Sequence, residues 1–138
     1  MPRISIKAIA VAFAAKLLAD LLIQALVFPF FAGDLLAKDM SQEELQKVFR
    51  TVSETTAYVP WMFVLGTATT VGGGYFAARL AKRIPYYHGL AMGIVGVVWV
   101  LFAAAGSFGW LDAVGLLITI PASLYGAHLA KKHMSPQP

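Results

Sequence analysis

Lys16, Asp20 and Gln24 follow one another at intervals of four inside an apolar stretch that runs from about Ile6 to Phe30. On a helix this spacing puts all three on one face. Lys16 lies near the middle of the stretch, and Asp20 and Gln24 lie in its second half. If the stretch crosses a bilayer, a charge at mid-depth costs on the order of 3 kcal/mol. Three uses would justify that cost: a proton or ion path, a contact to a substrate, or a clamp between helices or subunits. A purely structural use stands beside them. Lysine and aspartate at i and i+4 neutralise each other in part and act as glue, although lysine before aspartate is the weaker order.

A second polar set could face this stripe. Between Tyr58 and Ala78 the chain carries the hydroxyls of Thr67, Thr69 and Thr70, and Gly66, Gly72, Gly73 and Gly74 remove bulk. A following stretch holds Gly89, Gly93 and Gly96. Small residues let helices approach closely, and threonine can bond across the gap. Thr67, Thr70, Gly72, Gly73 and Gly74 therefore either line a path or pack helices. The triple glycine alternatively bends or unwinds its helix beside a cavity. It is not a phosphate loop, because no Gly-Lys-Ser/Thr ending follows.

The elements that position these residues follow from composition. The chain has 138 residues, 59% apolar and 13% charged. A soluble domain carries about 25% charged residues, so too little charge is present to cover a soluble globule of this make-up. Disorder is excluded by the same richness in apolar side chains. The expected class is all-α: a polytopic membrane protein forming one domain, a four-transmembrane-helix bundle with an outer amphipathic helix. The spans run over about 6–30, 58–78, 88–106 and 110–130, each near the roughly 20 residues a crossing needs. The first span begins like a signal peptide, with Ala12-Phe13-Ala14 resembling a cleavage site. Cleavage there would leave about 15 residues, too few to cross, so retention is expected.

Charge placement orients the spans. Arg3, Lys7, Arg79, Lys82, Arg83, Lys131 and Lys132 give seven basic residues on one side, with no acid among them. The other side sets Lys38, Lys47 and Arg50 among Asp34, Asp39, Glu43, Glu44 and Glu54, and Ser107–Gly109 adds no charge. Basic residues stay in the cytoplasm, so both termini are expected there. Tyr58, Trp61 and Trp110 would mark the outer boundary, and Tyr75, Tyr86, Tyr87 and Tyr125 the inner one. Trp99 falls inside the third span, where helix packing or lipid contact is expected.

The long outer connection has its own helix. Ser41 and Glu44 fit a capping box, and Leu45, Val48, Phe49 and Val52 make one apolar face over 42–54. It either lies on the outer leaflet or caps the bundle, or else it docks a partner or gates a cavity mouth. Pro60 should open the second span, Pro85 in the inner connection should stop the helix, and Pro121 should kink the fourth span. Residues 76–83 resemble residues 125–132 at a constant offset of 49, which suggests two related hairpins in parallel orientation.

Catalytic constellations do not emerge. Cysteine is absent, so thiolate chemistry and thiolate metal sites are excluded. His88, His128 and His133 are expected at the inner rim, without metal or haem. No serine–histidine–acid set and no paired carboxylates within one span are evident. No enzyme activity and no cofactor are expected. Nucleic acid is not expected as a partner either, since the basic residues are divided among short segments.

Gly73-Gly74-Tyr75-Phe76-Ala77-Ala78-Arg79-Leu80-Ala81-Lys82-Arg83-Ile84-Pro85, followed by His88-Gly89, resembles a pattern in small uncharacterised four-helix bacterial inner-membrane proteins. The resemblance covers about a tenth of the chain and implies a bacterial inner-membrane location, with no reaction and no functional residues. The leading expectation is a non-enzymatic bundle in the lipid bilayer that associates with itself, as a homo-oligomer, or with a membrane protein partner. The alternative is a small transporter or channel moving protons, ions or a small solute past Asp20.

Overall fold

The computed structural model of the chain describes residues 4–103 and 108–134. These form five helices: α1 (Ile6–Ala32), α2 (Gln42–Thr55), α3 (Tyr58–Ala81), α4 (Pro85–Ala103) and α5 (Trp110–His133). A short 3-10 turn, Gly33–Leu35, follows α1. There is no strand among the described residues. The expected end of the third span at Gly106, together with Arg3 and Ser107, lies outside them.

Local chemistry sets the helix ends. Ser5 caps α1, its hydroxyl accepting from the Ala8 N–H at 3.2 Å. Gly33 ends it in a positive-φ conformation (φ +48°) that side chains disfavour. The capping box of α2 is formed as expected: Ser41 N–H donates to Glu44 Oε2 at 2.8 Å, and Glu44 N–H donates to Ser41 Oγ at 3.3 Å. Pro60 sits in the first turn of α3. Pro85 does not stop a helix but begins α4, three residues before the expected start at His88. Its fixed φ and missing N–H suit a first helical position, and the turn is made instead by Lys82 and Ile84 at positive φ. Pro121 lies inside α5, which stays helical on both sides of it.

Three helices, not four, are long and apolar enough to cross a membrane: α1 with its terminal turn, α4 and α5. The second expected span, α3, has the length but contains four glycines and three threonines. The reason is its position. α3 packs against α1, α4 and α5 alike, so more of its surface meets protein and less must satisfy lipid. Small and hydroxylated side chains serve such contacts better than leucine does. α1 is the opposite case. Only Ala8, Ala12 and Ala32 are buried in it, while Leu18, Leu21, Leu22, Leu26 and Phe30 are exposed.

The bundle is tightest at the basic end, where α3 and α5 finish and α4 begins. A Cβ at Gly74 would overlap the Ser123 backbone, and one at Gly126 would overlap the backbone of Val71 and Tyr75. Gly89 faces Ala127 and Gly93 faces Ile120 in the same way. The buried Ser123 hydroxyl donates to the Gly89 carbonyl at 2.8 Å. α3 runs unbroken through Gly72, Gly73 and Gly74, so the triple glycine does not unwind. Residues 49 apart meet at this interface: Gly74 lies against Ser123, and Ala78 clusters with Ala127. The two hairpins are nonetheless placed differently, since α4 packs on both α3 and α5 whereas α1 packs on α3 and more lightly on α4.

At the other end α2 folds onto α1 and α3. Val52 is fully buried beside Ala32 and Tyr58. Tyr58 was expected at a membrane boundary but is 3% exposed. Its ring stands edge-on to Phe28, Phe31 and Phe49, an arrangement that stabilises by roughly 0.5–1.5 kcal/mol per pair. Trp61 and Trp110 are exposed. Trp99 is half-exposed and packs edge-on to Phe13.

Candidate functional site

The stripe on α1 turns toward α3. Lys16 Nζ reaches Asp20 Oδ2 at 2.5 Å, with the two side chains 13% and 31% exposed. The second carboxylate oxygen is held from another helix: the Thr69 hydroxyl donates to Asp20 Oδ1 at 2.5 Å. The stem of Lys16 lies beside Gly73, where a Cβ would also strike the tip of Met92. The pair is therefore an interhelical clamp between α1 and α3, and the missing side chain at Gly73 makes room for Met92 beside it. Thr67 and Thr70 do not reach the pair. Their hydroxyls donate to the Phe63 and Gly66 carbonyls of their own helix, both at 2.8 Å.

Lys16, Thr67 and Thr70 instead meet at a cavity. A space of about 190 Å³ is lined by Lys16 of α1, Thr67 and Thr70 of α3, Val100 of α4, and Gly115 and Thr119 of α5. All four long helices contribute to it. A larger space of about 480 Å³ adjoins it toward the α2 end, sharing Met62, Phe63, Val100 and Gly115 as walls. Asp20, Gln24 and Tyr58 line this upper part, with Phe49 and Ser53 from α2 and Asp112 from α5. The two spaces share these walls and together make a cleft between α2 and Lys16. The glycine contacts of the basic end lie beyond its floor.

Two of these groups escape a reading of the sequence. Asp112 lies in the first turn of α5, its Oδ2 accepting the Gly109 N–H at 2.7 Å. The spacing Gly109-x-x-Asp112 is a helix-start signal, and an acid just inside an apolar span is the cue that could have found it. Ser53 Oγ is buried without a hydrogen-bond partner, on a face of α2 that sequence periodicity leaves between its apolar and charged sides. Gln24 is exposed and lies at the cleft. Gly72 is elsewhere, exposed on the outer groove between α1 and α3 with open space around it.

Electrostatics on α2 is confined to its solvent side. The Ser41 N–H, followed by the Ser41 hydroxyl, holds the Glu44 carboxyl below its ordinary value of 4.5. Arg50 is raised above its ordinary value by its hydrogen bond and then its charge interaction with Glu54, at 2.9 Å.

The histidines part company. His88 is buried, contrary to its expected place at the rim, and 1% exposed. Its Nε2 accepts the Ser5 N–H at 2.9 Å and its Nδ1 lies 3.2 Å from the Ile84 carbonyl. That pattern fits a neutral ring protonated on Nδ1, which pins the start of α1 to the turn before α4. His128 is exposed and pairs with the Tyr86 hydroxyl at 2.9 Å, so the two rings hold different partners. Among the described residues no group of three His, Asp or Glu side chains is arranged to hold a metal. No protein family, curated protein or solved structure matches the chain.

Proposed function

We propose that this chain is a non-enzymatic multi-pass protein of the bacterial inner membrane, with four crossings and both termini in the cytoplasm, that carries a small solute past Asp20. The observation that carries this reading is the cleft. Four helices from both halves of the chain converge on a space lined by Lys16, Thr67, Thr70 and Thr119, with close glycine packing toward the basic end and α2 at the other. Lys7, Arg79, Lys82, Arg83, Lys131 and Lys132 at the basic end favour a cytoplasmic floor. The cleft then faces outward, with α2 across its mouth. α3 crosses with the other three in this reading, because 24 helical residues span about 36 Å and its polar side chains are turned to protein.

The chain has no native cysteine, so the test uses single cysteines in sealed vesicles of known orientation. Glu43→Cys on α2 should react with an impermeant thiol reagent from the outer side only. Lys132→Cys should react from the inner side only. Reaction of both from the same side would end the four-crossing topology. Solute movement is tested separately with proton-gradient vesicles loaded with a pH-reporting dye. Flux that is present in the wild type and lost in Asp20→Asn supports the carrier; equal flux in the two removes Asp20 from the path.

A second reading, association into a homo-oligomer or with a membrane partner, draws on a different surface. Ala15, Ala19, Gly72 and Phe76 line a groove of about 300 Å³ between α1 and α3, and a side chain at Gly72 would meet nothing. Small residues there would let another helix approach closely. Gly72→Leu should lower the oligomer mass measured in mild detergent, and an unchanged mass would remove this groove from any interface.

A further inference from the structure

We infer that the cleft takes a protonated amine carried on a small apolar or aromatic body. This rests on the carrier reading above and names its ligand. Hydrogen-bond polarity comes first. The hydroxyls of Thr67, Thr70 and Thr119 on the cleft floor each give their proton to a carbonyl of their own helix, at 2.8, 2.8 and 2.7 Å. Each hydroxyl has one proton to give, so what these oxygens retain is lone pairs. A ligand that donates is matched by them, and one that only accepts is not.

Charge points the same way. The ionisable acids and bases lining the cleft are Lys16, Asp20 and Asp112. Lys16 is already taken by Asp20 at 2.5 Å. Asp112 binds the Gly109 N–H and pairs with no cation among the described residues. One negative charge is left over on the walls, at the first turn of α5. An anion would meet that charge and the threonine lone pairs, with the lysine already engaged.

The remaining walls describe the rest of the ligand. Phe49, Tyr58 and Phe63 are aromatic, and ring faces attract ammonium groups while accepting apolar bodies. Ser53 Oγ, buried and without a protein partner, is a further polar contact that the fold leaves unused. The upper space of about 480 Å³ lies in the range of roughly 300–1,000 Å³ that small-molecule sites occupy.

Phenethylammonium, phenylacetate and phenylethanol share size and ring and differ in charge, which makes them suitable probes. The full chain carrying Thr67→Cys, with Thr119→Cys as a second position, is reconstituted in vesicles. The rate of its reaction with an impermeant methanethiosulfonate reagent is then read. Phenethylammonium at saturation should slow the reaction at least tenfold, while phenylacetate and phenylethanol leave it unchanged. Asp112→Asn should weaken that protection about tenfold. Equal protection by phenylacetate, protection by none of the three, or protection undiminished in Asp112→Asn would overturn the amine assignment while the reactive cysteine still upholds the cleft. If neither cysteine reacts from either side, water does not reach the cleft and the carrier reading falls with the inference.

Discussion

At the basic end of the bundle, Gly74 and Gly126 are where two backbones touch; beside the cleft, Gly66 and Gly115 touch nothing. Gly74 and Gly126 leave no room for a methyl group, whereas Gly66 and Gly115 have open space around them. One residue type thus builds a seal in one half and a cleft in the other. What separates the two is what lies across from each glycine: the Ser123 backbone opposite Gly74, and an opening bounded by Thr67, Thr70 and Thr119 beside Gly66 and Gly115. The contrast predicts the largest effect. Gly74→Ala should destabilise by about 3 kcal/mol or more, because the helices must separate to admit the methyl. Gly66→Ala and Gly115→Ala should stabilise by up to about 1 kcal/mol through helix propensity. Thermal unfolding in detergent measures all three, and similar behaviour at positions 74 and 66 would erase the distinction between the two ends.

The clamp between α1 and α3 sits where the two regimes meet. It should be fragile to single changes and tolerant of paired ones. Asp20→Ala leaves Lys16, whose side chain is 13% exposed, without its counter-charge and should destabilise by about 3 kcal/mol. The double change Lys16→Met with Asp20→Leu removes both charges and should destabilise less than Asp20→Ala does alone. A double variant that is worse than the single one would mean that the pair contributes more than mutual neutralisation.

Much of this arrangement was legible from spacing, and what was missed shares a cause. The interval of four between Lys16 and Asp20 placed the ion pair, and Ser41 with Glu44 placed the cap of α2, because both are local relations along one helix. The role of Thr69 was not legible. Thr67, Thr69 and Thr70 carry the same hydroxyl within one turn, and the rotation of α3 against α1 decides which of them meets Asp20. Tyr58 and His88 were read as rim residues from their positions at span ends. Their burial comes from neighbours distant in sequence: Phe28 and Phe31 for one, Ser5 for the other. The polar character of α3 likewise makes sense only once it is known to be the helix that the others surround.

The threonines offer a finer test of that rotation. Thr69→Val should destabilise by about 1.5–3 kcal/mol, the usual loss for a hydrogen bond to a charged group, and should free one oxygen of Asp20. Thr67→Val and Thr70→Val should change stability by only a few tenths of a kcal/mol, since their hydroxyls satisfy carbonyls that the helix already engages. The same two changes remove acceptors from the cleft floor, so they should alter solute binding while leaving stability almost intact. If Thr67→Val proved the most destabilising of the three, Thr67 rather than Thr69 would be the residue that meets the clamp.

The smallest effect belongs to the mouth of the cleft. α2 is held down by Val52 and its aromatic neighbours, but its first turn depends on the exposed pairing of Ser41 and Glu44. Ser41→Ala should loosen that turn by about 1 kcal/mol, read as faster amide exchange over residues 44–47. Acid should act in the same direction. The Glu44 carboxyl is lowered in the folded chain, chiefly by the Ser41 N–H, so its contribution is complete above the ordinary value of 4.5 and is lost as pH falls through the lowered one. Glu44→Gln should remove that dependence. The buried side of α2, which carries Val52 and the unpaired Ser53 hydroxyl, should be indifferent to all of these changes. If acid or Ser41→Ala instead released the whole helix from Tyr58, the mouth would be governed by its cap and not by its apolar contact with the bundle.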